Sequence, residues 1–380
     1  MLSSSVRNAG GEVVRLRLIG KPILKIAMKP VPNRSQKTRT RKEEHLQINL
    51  AGEVTGDVPS GFDLYHFEHL ALPEIDLTEV STATTLFGRP MRSPILVSCM
   101  TGGTADAARF NAILAETAQE HGLAMGLGSG RVLLEDPGAP GFDLRSRAPG
   151  IPLLANLGAA QLNQGEGVDA CRRLLDLTGA DALVLHLNPL QEALQPEGEP
   201  RFRGLLRQIE RLCASLGAPV VVKEVGAGIA PDVAASLFAA GVAAVDVAGA
   251  GGTSWSEVER HRLSGSHARI ALAFRSWGIP TAEAVVGARA VAGDALVFAS
   301  GGVRNGMDVA IALGLGADLV GLAGSFLRAA AAGPLAASDL ASELAGVLRV
   351  VMFCVGAPDL RAFRAAPRLV SRRFGPVMPT

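Results

Sequence analysis

Eight short apolar runs, each closing in glycine, small or polar residues, recur along the chain at 94–100, 123–129, 152–158, 182–188, 219–225, 244–250, 296–302 and 319–325. Most of the intervals between them are rich in Ala, Leu and Glu at helical spacing. Continuous apolar runs of roughly four to eight residues suit strands buried on both faces, and strands that alternate with helices build right-handed βαβ units around a parallel sheet. Eight such units close a barrel, so the spacing predicts an α/β fold, a (β/α)8 TIM barrel with an N-terminal extension and C-terminal flanking helices. The stretch 340–355 has the helical periodicity expected of such a flanking element.

In a barrel of this kind the C-terminal ends of all the strands face one mouth. The fourth run carries the strongest signal. It is almost unbroken apolar sequence from 182 to 187 and then presents His186, Asn188, Gln191 and Glu192 within a few residues. Pro189 cannot donate to a sheet ladder, so the strand stops there, and Gln191 and Glu192 are expected on the loop beyond it.

A barrel of about 250 residues or more accounts for most of the 380-residue chain as one domain, 41–380, with barrel strands at about 94–325 and residues 1–40 as a separate, disordered basic extension. The hydrophobic share of 48% with only 4% aromatics suits a core of Val, Leu, Ile and Ala. No apolar run reaches the roughly 18 residues that cross a bilayer, so no membrane span is expected. The net charge of +1 is unevenly distributed: residues 1–40 hold nine Lys or Arg against Glu12 alone, leaving 28 basic and 35 acidic residues beyond them. An acidic body argues against nucleic-acid binding by the barrel. The basic segment reads as a disordered arm or as sequence upstream of a true start at Met28, in preference to an organelle-targeting peptide. Cys99, Cys171, Cys213 and Cys354 show no metal-binding or CxxC spacing, as expected for reduced thiols of a cytoplasmic protein, with Cys99 a small buried hydrophobe at the first strand's end.

The remaining polar strand ends supply candidate chemistry. Arg41 and Lys42 are natural partners of phosphate oxygens and are placed to fold over the mouth. The second run ends with Ser129, Gly130 and Arg131, a hydroxyl, an amide and a guanidinium able to hold a phosphate, followed by a loop at 135–141. Lys223 follows three valines, and a lysine inside a barrel needs a negative partner or loses its charge. The sixth run leads into Gly251, Gly252 and Thr253 without the lysine of a phosphate-binding P-loop, and the charged connection 253–273 is a candidate flap. Glycine-rich ends at Gly301, Gly302, Ala323 and Gly324 stand after strands seven and eight, where barrels bind phosphate groups.

Nine motifs in a fixed order between 41 and 370, RKEEH, LPE, MTGGT, NLGAAQL, HLNPLQE, VKEVGAGI, GGTSW, SGGVRNG and LAGSFL, resemble the type 2 isopentenyl-diphosphate isomerases, a flavin-dependent family. The resemblance implies FMN, active when reduced, contacted at Met100, Thr101, Gly102, Ser129, Asn156, Lys223, Thr253, Gly301, Gly302, Ala323 and Gly324, with NADPH as reductant. It implies a prenyl diphosphate substrate held at Arg41, Lys42, Ser129, Gly130 and Arg131, with His186 and Asn188 supporting it. Gln191 is then the catalytic residue beside the alkene and Glu192 the Mg2+ ligand, in a cytoplasmic homo-oligomer, tetramer or octamer. One position departs from the family pattern: Gly130 stands where Gln or Met is usual, which leaves open whether that position acts through its amide or its side chain. Two further readings share the fold: an FMN-dependent 2-hydroxy-acid oxidase, and a barrel that binds flavin or prenyl diphosphate without turnover.

Overall fold

The computed structural model describes residues 4–7, 13–16, 34–52, 54–99, 102–372 and 375–376. Eight parallel strands close a barrel: β1 Ile95–Val97, β2 Ala124–Gly126, β3 Leu153–Gly158, β4 Ala182–His186, β5 Val220–Lys223, β6 Ala244–Asp246, β7 Leu296–Ser300 and β8 Leu319–Leu322. Each strand pairs with its sequence neighbours, and β8 returns to β1 with Val320 opposite Ile95. All eight apolar runs therefore form strands, each within the run that predicted it.

Side chains alternate across a strand, and the two cores of the molecule follow that alternation. Ile95, Val97, Leu183, Leu185, Val220 and Val222 pack outward in the layer shared with the helices. Leu96, Leu154, Val184, Val221, Ala244 and Phe298 fill the barrel interior. The interior is closed from below by a hairpin, Thr84–Leu86 paired with Arg89–Met91, whose Leu86 and Met91 join the same inner cluster. Its two-residue turn, Phe87 and Gly88, has positive φ at both positions, 48° and 82°, as a turn matched to strand twist requires.

The C-terminal helix Pro334–Cys354 contains the periodic stretch read from the sequence and packs against helices Ala105–His121, Gly306–Gly314 and Gly324–Ala332. A small antiparallel sheet of Tyr65–Phe67, Leu369–Ser371 and Gly375–Pro376 ties the segment before the barrel to the segment after it. Helix Arg34–Ala51 crosses the boundary drawn at 41, so the extension and the body share one element; most of residues 1–33 lie outside the described residues. The expectation of a loop at Gln191 and Glu192 is also corrected, while the loop expected at 135–141 is found from Asp136 onward. Pro189, pre-organised for a first helical turn, opens helix Pro189–Leu194, which carries Gln191 and Glu192. Helix Arg131–Glu135 starts directly after Gly130, and 253–273 is built as helices Trp255–Arg262 and Gly265–Leu272.

At the opposite end from the mouth, Asp181 clamps the start of β4 to β3. Its carboxylate accepts from Arg89 Nε and Arg145 Nη2, each at 2.7 Å, and from the Leu153 amide at 2.9 Å. Asp318 repeats the arrangement before β8, accepting from Arg289 and from the Val297 amide. Removing one member of such a pair strands its partners, so Asp181→Ala is expected to cost about 3 kcal/mol of stability, read as a lower urea midpoint at unchanged slope. The mouth residues lie at the other end, so the denaturation curve shifts with no change in ligand affinity.

Candidate active site

The alternation that fills the barrel also arms it. On the inner faces of six strands an apolar residue is followed two positions later by a polar one: Leu96 by Ser98, Leu154 by Asn156, Val184 by His186, Val221 by Lys223, Ala244 by Asp246 and Phe298 by Ser300, while β2 and β8 place Gly126 and Gly321 there. Of these, Ser98, Asn156, His186, Lys223 and Ser300 line a cavity of about 340 Å³ at the barrel mouth. That size lies within the range of small-molecule sites. The cavity also takes in Arg41, Lys42, Ser129, Arg131, Asn188, Gln191, Glu192, Thr253, Gly301, Gly302, Ala323 and Gly324. One pocket thus gathers most of the residues singled out from the sequence.

Of the four others, two are described and do not line it. Met100 and Thr101 lie outside the described residues. Gly102 stands behind the wall, where its carbonyl accepts from Lys42 Nζ at 2.9 Å and an added Cβ would meet the Phe142 ring. Gly130 is turned away as well. Its amide donates to Asn156 O at 2.7 Å, and an added Cβ would lie 2.4 Å from Leu174 Cδ1. Neither the Gly130 amide nor its Cα side is turned to the cavity.

Hydrogen bonds fix the tautomer at the centre. Asn156 Nδ2 donates to Leu127 O at 3.1 Å, which turns Asn156 Oδ1 toward His186 Nδ1 at 2.8 Å. An amide oxygen only accepts, so Nδ1 carries the proton and Nε2 keeps its lone pair. Burial, with Lys223, Lys42 and Arg41 nearby, pushes the His186 pKa down to about 3. The imidazole is neutral and presents an acceptor.

On helix Pro189–Leu194, Asn188 Nδ2 donates to Gln191 Oε1 at 3.0 Å and to Glu192 Oε1 at 2.9 Å. The Gln191 oxygen is thereby occupied and its amide NH2 is left as the presenting end. Glu192 Oε2 accepts from Gln195 Nε2 at 2.9 Å and from the Glu199 amide at 2.7 Å. Three donors on a carboxylate with about four lone-pair positions hold its orientation and leave room for a cation. Among the described residues no cluster of three or more His, Cys, Asp or Glu is placed to hold a metal by itself.

Two sets of cationic side chains line the cavity. In one, Lys42 Nζ donates to Gly102 O and to Ser129 O at 3.0 Å, with Arg41 and Arg131 also in the lining. Burial, then repulsion by Arg41, lowers the Lys42 pKa from 10.5 to about 7. The other comprises Arg304 and Arg328 with Gly301, Gly302 and Gly324. Gly301 and Gly302 have φ of 100° and 70°, and an added Cβ at either would collide with the backbone of Gly249 or Gly251, so only glycine packs these two turns together. Arg328 reaches back over Gly324, one turn earlier on helix Gly324–Ala332. Deeper in, Lys223 Nζ donates to Glu224 O, and Asp246, its partner in strand register, accepts from Ser300 Oγ at 2.7 Å. Cys99 lines the cavity, and burial raises its thiol pKa to about 11, so it is no thiolate nucleophile.

Sequence reasoning missed Ser98, Arg304 and Arg328. The first two stand inside or beside motifs already marked, and Arg328 is the single charge in helix GSFLRAAAA. Ser98 Oγ is buried with no hydrogen-bond partner while it lines the cavity, which marks it as aimed at a ligand. A neutral His186 makes a direct prediction. Its imidazole NMR resonances should not titrate between about pH 5 and pH 9, and an inflection near 6.5 would contradict the geometry. Because the unfolded chain takes up that proton below about 6.5, His186 should also cost stability as pH falls from 6.5 toward 3.

The sequence model of the FMN-dependent dehydrogenase family matches residues 190–369. The fold is shared with mandelate oxidase structures: one with a monooxide FMN adduct superposes with a TM-score of 0.58 at 21% identity, covering 86% of this chain and 91% of that one. Another, with (S)-2-phenylpropionate, gives 0.59 at 20% identity over 87% and 96%. Sequence relatives are much nearer. An isopentenyl-diphosphate delta-isomerase of Xanthobacter autotrophicus is 52% identical over 330 residues, 86% of this chain and 96% of its own. One of Synechococcus sp. is 51% identical over 327 residues, 85% and 94%. At that identity over almost the whole of each relative, the chain belongs to the type 2 isopentenyl-diphosphate delta-isomerase family.

Proposed function

We propose that this isomerase converts isopentenyl diphosphate to dimethylallyl diphosphate in the mouth cavity, with reduced FMN and Mg2+ bound there. The observation that carries the reading is that one cavity is lined by two sets of anion-binding groups: Arg41, Lys42 and Arg131 from helix Arg34–Ala51 and the β2 end, and Arg304, Arg328 and the paired glycines from the β7 and β8 ends. The first set suits a substrate diphosphate and the second a cofactor phosphate, since loops after strands seven and eight of barrels commonly take phosphate. FMN fits the residues present. The Gly301 and Gly302 turns, the unpartnered Ser98 hydroxyl and the Lys223 ammonium offer the backbone, hydroxyl and charge contacts that a phosphorylated flavin takes.

Moving the double bond adds a proton to one carbon and removes one from another, with no net oxidation. His186 is neutral with a very low pKa, and Gln191 does not ionise in the useful range, so neither is a strong acid for an unactivated alkene. Reduced FMN, kept reduced by NADPH, supplies that acid and base when bound. The chain's share is placement and charge. Asn188 fixes the Gln191 oxygen, so the Gln191 NH2 orients the reacting carbons. Glu192, braced by Asn188, Gln195 and the Glu199 amide, would hold Mg2+ through its carboxylate, a hard oxygen ligand for a hard cation that would offset the diphosphate charge. The reading includes a cytoplasmic homo-oligomer, which sedimentation measures. The oxidase alternative draws on the dehydrogenase match at 190–369, and isomerase relatives matched over 94–96% of their length weigh against it.

Two variants test the assignments. Gln191→Asn should depress turnover by about a hundredfold while FMN affinity stays within about twofold; equal loss of both would remove Gln191 from the chemistry. Lys42 carries its charge below about pH 7 and loses it above. The affinity advantage of the native enzyme over Lys42→Met for inorganic pyrophosphate should therefore shrink from about pH 6 to pH 8, by at most about tenfold per unit. A ratio that holds constant or grows would remove Lys42 as the titrating cation.

A further inference from the structure

The lid helix Arg34–Ala51 presents Arg41 to the cavity, and among the described residues Arg41 makes no hydrogen bond of its own. Its placement is set by whatever holds the helix. One turn further along, Glu44 and His45 are both engaged by helix Trp255–Arg262. His45 Nε2 donates to Glu259 Oε1 at 2.9 Å, and its ring meets Trp255 edge to face at 5.0 Å. Arg262 Nε donates to Glu44 Oε2 at 2.8 Å, Nη1 to Glu259 Oε2 at 2.6 Å and Nη2 to Glu197 Oε1 at 3.0 Å.

One guanidinium therefore joins three carboxylates from three parts of the chain, a task that needs the planar fork of arginine. The Glu259 contact is local, three residues away. Those to Glu44 and Glu197 span 218 and 65 residues and reach the helix that carries Lys42 and the connection that carries Glu192. Glu197 lies five residues after Glu192 on the same connection and lines the cavity. The Arg262 side chain is 10% exposed and Glu259 fully buried, while Glu44 and Glu197 are 48% and 42% exposed, so the Glu259 contact anchors the guanidinium and the other two are reached from that buried base.

We propose that Arg262 is a positioning residue for diphosphate binding: by holding Glu44 and Glu197 together it sets Arg41 and Lys42 on helix Arg34–Ala51 at a fixed place relative to the helix that carries Glu192. This rests on the reading of Arg41 and Lys42 as diphosphate ligands. Arg262 touches neither substrate nor cofactor in this account and acts through the two elements it joins. A displacement of about 1 Å at a positioned group can cost about a hundredfold, so a junction outside the pocket has leverage on it.

The test is titration of inorganic pyrophosphate into the FMN-loaded, full-length enzyme at fixed Mg2+. Arg262→Met should weaken pyrophosphate about tenfold or more and raise KM for isopentenyl diphosphate in parallel, with kcat at saturation and FMN affinity within about threefold of native. Arg262→Lys should recover only part, because one ammonium cannot bridge three carboxylates in the same plane. Glu44→Gln is the companion variant: its side chain is 48% exposed, so it folds regardless, and it should weaken pyrophosphate several-fold. Native affinity in Arg262→Met or Glu44→Gln would overturn the proposal, as would parallel loss of FMN and pyrophosphate in Arg262→Met. Arg41→Ala separates the two levels. If it binds pyrophosphate as the native enzyme does, the diphosphate reading itself fails, and with it the proposal; if it alone is weakened, only the positioning role of Arg262 fails.

Discussion

The structure depends on the alternation of side chains across eight short parallel strands whose register closes the barrel. Because the closed sheet has an inside and an outside, every second residue is committed to one of two environments. The outward positions bind the helices, while the inward ones form an apolar floor of Leu96, Leu154, Val184, Val221, Ala244 and Phe298. The next inward positions have nowhere to go but the mouth. A slip of one residue in any strand would bury His186 or Lys223 against a helix and bring a leucine or valine to the pocket.

The electrostatics follow from that depth. Groups at the mouth sit partly in the dry floor and partly against each other. His186 is held neutral, and Lys42 is brought into the range where its charge responds to its surroundings. Asp246 is fully buried and opposes Lys223 in register, and burial pushes its pKa up against the pull of Lys223 and of the Ser300 hydroxyl. The guanidinium groups of Arg41, Arg131, Arg304 and Arg328 line the same cavity.

Much of this is legible in the sequence, because a strand buried on both faces writes itself as an unbroken apolar run. The eight runs and the polar cluster from His186 to Glu192 needed no tertiary information. Parity was present but unread: two positions on from Leu96, Ala244 and Phe298 stand Ser98, Asp246 and Ser300, just as His186 stands two on from Val184. Other features were hidden for physical reasons. Gly130 carries no side chain to betray its direction, and only the Leu174 contact and the bond to Asn156 O show that it faces away. Pro189 stops a strand and starts a helix equally well, so Gln191 and Glu192 read as loop. The junction of Glu44, Glu197, Glu259 and Arg262 joins segments 65 and 218 residues apart, which no local spacing can reveal.

The central claim is that a flavin and a diphosphate bound in one cavity cooperate in a rearrangement without net redox change. The most direct measurement is the number of NADPH molecules consumed for each dimethylallyl diphosphate formed, under anaerobic conditions with FMN and Mg2+. The account predicts many turnovers for each reductant consumed, with no product until the flavin has been reduced. One reductant consumed for each product, or full turnover with oxidised FMN, would contradict it.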